Sequence, residues 1–200
     1  VATQAAMSAE YLASKVQPGD KILTLTIPVI EMHQTRLTAA KGVFKAYKIG
    51  IGQELYFPLT GDPMQWSYDN IKNALLGDTK KEMKGLWTSW EGFSIQGARA
   101  AKDLGRDDFK VVAVDDSPNT YTQLRKLPTF IEASGWVCRG KEINGKIFEI
   151  FDKVFKGESV ETQKYYGYVP WLITKENLPP KGYFFSPCGY EGRPQDFPAK

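Results

Sequence analysis

Two hundred residues, 42% of them hydrophobic, suffice for one ordinary domain or two small ones with a real core. The 26 basic and 23 acidic residues leave a formal charge of +3 with no basic run, which argues against binding to a phosphate backbone. No apolar run reaches the roughly 18 to 20 residues that span a bilayer, and the start, VATQAAMSAEYL, lacks a signal peptide's basic and apolar regions, as a mature or truncated chain also would.

Taken in chain order, Ala6, Ala9, Tyr11, Leu12 and Val16 predict a helix over 3–16 that ends at QPGD. KILTLTI (21–27) reads as a strand. Leu37, Ala40, Val43, Phe44 and Tyr47 set a helix over 32–47, and Gly50 and Gly52 open the strand GQELYF. The alternation continues with helix 66–76, strand 84–88, helix 94–104 and strand FKVVAV (109–114). Ser117 as N-cap and Pro118 at the first helical position start the next helix, and the short strand TFIEAS follows. Strands separated by helical segments of this length predict an α/β fold, a doubly wound parallel sheet with helices on both faces. Further on, Ile143, Ile147, Phe148, Ile150, Phe151, Val154 and Phe155 form a broad apolar stripe at helical spacing, closed by Lys156 and Gly157. Residues 178–200 hold five Pro and three Gly, which reads as an extended surface tail.

Ligands of open parallel sheets bind outside the carboxyl ends of the strands, where loops converge and helix N-termini present free N–H groups. The loops there are IPVIEMHQTR, SWEG, DDSP and GWVCRG, rich in Trp, carboxylate and Arg. That mixture suits a polyhydroxylated ligand: an aromatic face packs on sugar C–H groups, carboxylates accept from hydroxyls and guanidinium donates to them. Trp90, Glu91, Asp115 and Arg36 are the candidates, expected to converge on one open cleft. Asp116 reads equally as a helix cap, Arg36 equally as a solvated helix residue, Trp87 as core and His33 as a surface or hydrogen-bonded histidine. Cys138 and Cys188 make no metal-ligand spacing with His33, and a disulfide between them stays open. No GxSxG, P-loop, GxGxxG or Cys/His arrangement points to an enzyme, although Glu91 and Asp115 as a glycosidase-type acid/base pair is the alternative.

The stretches AMSAEYLASKV, KILTLT followed by Arg36, WEGFSIQGARAAKDLGRDDFKVVAVDDSP, FDKVFKGESV and YGYVPWLITKENLP resemble a type I periplasmic sugar-binding protein, the ribose-binding class of ABC-importer receptors. The resemblance implies a second lobe, with no counterpart of the first. Its boundaries would be 1–135 for the sugar-binding lobe, 136–168 for a helix-and-strand crossover that packs on the first lobe, and 169–200 for the return strand and tail. It also implies that Asp115 and Arg36 match sugar-binding positions, that Trp66 matches the aromatic after the second strand, and that Glu91 stands where the family has Asn. Cys138 or Arg139, with Trp136 close by, falls near the family's Gln. Expected partners are a monosaccharide or polyol and the permease subunits, with no cofactor, no metal and no catalysis. Expected location is periplasmic or extracellular, with a lipid anchor on the full-length protein left open. The uncovered stripe at 140–156 raises the expectation of a homodimer, and the effector domain of a LacI-like repressor is the alternative function.

Overall fold

A computed structural model of the chain describes residues 1–136, 145–160 and 170–181. Six α-helices and six strands appear there, in the order α1 (Ala2–Ala13), β1 (Lys21–Thr26), α2 (Glu31–Ala46), β2 (Gly50–Tyr56), α3 (Pro63–Gly77), β3 (Met83–Thr88), α4 (Glu91–Asp103), β4 (Lys110–Val114), α5 (Pro118–Lys126), β5 (Phe130–Trp136), α6 (Gly145–Phe155) and β6 (Pro170–Thr174), with a 3-10 turn at Lys175–Asn177. The six strands form one sheet in the order β2-β1-β3-β4-β5-β6. The first five are parallel, and β6 joins the edge antiparallel to β5. The expected doubly wound α/β sheet is therefore present, with an antiparallel edge strand that the alternation did not announce.

Alternate strand residues feed two cores, because successive side chains of a strand point to opposite faces. Ile22, Trp87, Val112 and Val114 pack under α1 and α2 with Leu12, Leu37 and Phe44. Leu23, Leu25, Leu86, Val111 and Ala113 pack against α3, α4 and α5 with Ile71, Phe93 and Leu124. Trp87 is fully buried, in keeping with its reading as core. At the tightest of these helix–sheet contacts, a Cβ on Gly97 would sit 2.1 Å from the Leu86 side chain, so only glycine lets α4 approach this closely.

Helix starts follow local chemistry. Asp62 caps α3 by accepting from the Met64 and Gln65 amides, with Pro63 behind it, so the helix begins three residues before the expected Trp66. Ser117 caps α5 from the Thr120 amide as expected. Helix α4 begins at Glu91 rather than 94, with Trp90 at its N-cap and no side-chain cap. Gly157, at φ +70°, terminates α6. That helix carries the predicted stripe from Ile147 to Phe155, Ile143 lying outside the described residues, and its apolar face is open: Phe148 is 70% and Phe155 86% exposed. Of the expected segments, residues 137–144, 161–169 and 182–200 lie outside the described residues, and with them Cys138, Arg139, Cys188 and most of the tail.

Candidate functional site

The carboxyl ends of β1, β3, β4 and β5 lie along one edge of the sheet, and the sheet order reverses its direction of growth between β1 and β3, the position at which α/β sheets open a crevice. Two clusters occupy this edge. The first is polar and buried. Asp115, directly after β4, adopts φ +74°, a left-handed conformation that costs a non-glycine residue energy and that aspartate tolerates better than most. Its carboxylate receives both terminal nitrogens of Arg36 on α2, Nη1 to Oδ2 at 2.7 Å and Nη2 to Oδ1 at 2.8 Å. Gln4 on α1 donates through Nε2 to Asp115 Oδ1 at 3.1 Å and to the Ser134 carbonyl on β5 at 2.8 Å. Arg36 Nη1 also donates to the Ser89 carbonyl after β3 at 2.8 Å, and Nη2 donates to Gln4 Oε1 at 3.4 Å. Three strand ends and two helices are thereby tied to one carboxylate.

His33 lies beneath this cluster. Its Nδ1 is 2.8 Å from Ser89 Oγ, which itself accepts from Thr26 Oγ1 at 3.0 Å. Burial, and then the neighbouring Arg36 guanidinium, push the imidazole below its ordinary value, so at neutral pH it is uncharged. It is a hydrogen-bonded, buried histidine, one of the two readings its sequence context allowed.

The second cluster is aromatic and sits on the α3/α4 side. Trp66 meets Phe57 edge-on at 5.5 Å, Phe57 lies 5.8 Å from Phe93, and Phe93 meets Trp90 edge-on at 5.1 Å. Gly92 makes room for the Trp90 indole, since a Cβ there would fall 2.9 Å from the ring. Both tryptophans are half-buried, as is Glu91 in the first turn of α4. The structure therefore joins Arg36 to Asp115, and links Trp66 to Trp90 through two phenylalanines. Asp116 is no helix cap: it is buried and accepts from the Tyr121 hydroxyl, with Gly135 close against it. The backbone of Trp136 ends β5 at the same edge.

Gln4, Ser89 and Ser134 were not among the sequence candidates. Gln4 had a signal: it precedes Ser8 and Leu12 at spacing four, the row that α1 buries against the sheet. Ser89 and Ser134 act through backbone carbonyls, which no side-chain pattern reveals.

No family model matches the chain, and the search of curated proteins returned no match. Solved structures do match. A sugar ABC transporter protein from Yersinia enterocolitica superposes with a TM-score of 0.75 at 19% identity, over 88% of this chain and 52% of its own. A myo-inositol binding protein from Caulobacter gives 0.74 at 15%, over 88% and 59%. A periplasmic ribose ABC transporter protein from Conexibacter woesei gives 0.72 at 15%, over 88% and 58%. The fold is that of type I periplasmic sugar-binding proteins of ABC transporters. The chain spans a little over half the length of these proteins. Among the described residues, no helix is long and apolar enough to cross a membrane.

Proposed function

We propose that the chain is the sugar-binding lobe of an ABC-importer receptor, non-catalytic, taking a monosaccharide or similar polyol at the carboxyl edge of its sheet. The observation that carries this reading is the Asp115 carboxylate, fixed at the switch edge of a fold shared with sugar-binding transport proteins. In this reading Asp115 accepts from a ligand hydroxyl, Trp90 and Trp66 offer aromatic faces, Glu91 adds a second acceptor, and Trp136 belongs to the ligand-binding set by its position at the end of β5. A second lobe closes over the ligand, and the permease subunits read the closed form, in the periplasm or at the outer cell surface, with or without a lipid anchor on the full-length protein. The 1–135, 136–168 and 169–200 boundaries belong to the same proposal.

A thermal-shift screen of the full-length gene product against pentoses, hexoses and polyols tests it. A shift with at least one sugar is expected, and none across the set refutes the reading. A lone lobe leaves one ligand face in water while association still costs several kcal/mol, so these 200 residues should bind at millimolar strength or weaker. Calorimetry showing micromolar binding would overturn that expectation. Hydrolysis of aryl glycosides would favour the enzyme alternative, and operator binding the repressor one.

The open face of α6 favours a second reading of assembly. Phe148, Phe151, Val154 and Phe155 are all more than half exposed, and each large side chain left in water forgoes roughly 1.5 to 3 kcal/mol. In a two-lobed receptor the other lobe covers this face, and without it two chains can pair through it. Light scattering at tens of micromolar discriminates: a dimer dissociated by Phe151→Asp supports pairing, and a strict monomer rejects it.

A further inference from the structure

Arg36 is spent on the protein itself. A guanidinium has four hydrogens on its terminal nitrogens, and Arg36 meets four acceptors with them: the Ser89 carbonyl, both Asp115 oxygens and Gln4 Oε1. Among the described residues its remaining Nε is buried without a partner, and its side chain is only 2% exposed against 23% for Asp115. The carboxylate, with roughly four acceptor positions, takes three donors from these residues and keeps one position, on Oδ2, open.

We propose that Gln4 and Arg36 are positioning residues: they hold Asp115 in its left-handed conformation as an acceptor for one ligand hydroxyl, and Arg36 makes no ligand contact. The proposal rests on the sugar-binding reading for its ligand but not for its geometry. Gln4 is central, because its amide is the piece that closes the arrangement. It takes a hydrogen bond from Arg36, gives one to Asp115 and anchors the other N–H on β5. Two consequences follow. The open position on Asp115 is an acceptor, so it reads a hydroxyl donor. The Arg36 charge is also neutralised in place by the Asp115 carboxylate.

Two variants test the arrangement, with Asp115→Asn added as the second arm of a double-mutant cycle. Gln4→Met keeps the side-chain volume and removes both hydrogen-bonding groups. Arg36→Lys keeps the charge and removes the fork that reaches both carboxylate oxygens and Ser89. Three readouts are taken on the full chain. In NMR, Asp115 of the wild type should show the strong intraresidue amide-to-α-proton contact of a left-handed residue, and both variants should lose it. In urea unfolding, Gln4→Met combined with Asp115→Asn should reduce the folding constant about tenfold less than the two singly combined predict. With D-ribose and D-glucose as probes, followed by amide shifts, either variant should weaken binding at least tenfold. A retained Asp115 signature with additive unfolding effects overturns the proposal. Should Gln4→Met fail to fold, Arg36→Lys decides by the same signature. A wild type that responds to neither sugar while losing the Asp115 signature in both variants supports the positioning role and counts against the sugar reading alone.

Discussion

Replacing Glu132 by glutamine should change how stability depends on pH, not merely its magnitude. Glu132 lies on β5, fully buried beneath α1. Ser8 Oγ sits 2.9 Å from its Oε2 and 3.1 Å from the Ala113 carbonyl. A serine hydroxyl has one proton, so it cannot donate to both oxygens, and the pair is satisfied when the carboxyl is protonated and donates to Ser8 while Ser8 donates to Ala113. Burial pushes the carboxyl well above its ordinary 4.5, outweighing the Ser8 hydroxyl that pulls it down. The folded state thus holds a proton that the unfolded chain releases. The contribution is fully present below about pH 4.5, falls as pH rises from there towards the folded value, and is flat beyond it. One proton per molecule limits the slope to about 1.4 kcal/mol per pH unit. Tyr11 lies within electrostatic reach of Glu132 but does not titrate in this window, being raised above 10.0 by its burial and then by Glu176 and Glu132. Glu132→Gln keeps size and a donor towards Ser8 but cannot ionise. It leaves one buried N–H short of a partner, about 1 to 3 kcal/mol, so the wild type should be the more stable at pH 4.5. The gap should then close or reverse as pH rises to 8. Urea unfolding followed by circular dichroism at half-unit steps measures this. Parallel curves for the two proteins would refute a neutral Glu132.

Gly97→Ala gains up to about 1 kcal/mol of helix propensity, but its methyl meets buried Leu86 and overpacking costs about 1 to 3 kcal/mol. A net loss in the urea midpoint is expected, and a gain would show that Leu86 repacks freely. Arg106→Met should cost about 1 to 3 kcal/mol, because it removes the charged partner of the Asp78 carboxylate, which keeps the Glu82 and Met83 amides as donors, and takes away the donor to the Met83 carbonyl. A loss under 1 kcal/mol would contradict that account. Arg106 also holds Asp108 down to about 2, so wild-type stability should drop as pH falls from 3.8 towards 2, and the variant should lack much of that drop.

The repeating elements were legible in the chain because each carries its own period. KILTLT and FKVVAV are short apolar runs between helical stripes, and Ser117-Pro118 announces a helix start by local chemistry alone. Asp62-Pro63 carries the same signal, and reading it would have placed the start of α3 correctly. The loops rich in Trp and carboxylate were visible too, since the carboxyl edge follows from strand direction. What those residues touch was not. Asp115 meets Arg36 across 79 residues and Gln4 across 111, and Ser8 meets Glu132 across 124. No periodicity records such distances. A helix Ser and a strand Glu look like solvated positions until the packing of α1 on β4 and β5 removes water from them. The sequence by itself determined the layers and the edge on which a site could lie. Only the tertiary structure decided that Arg36 is consumed by Asp115, that Glu132 is sealed beneath α1, and that, among the described residues, the apolar face of α6 stays uncovered, because each depends on which element comes to lie against which.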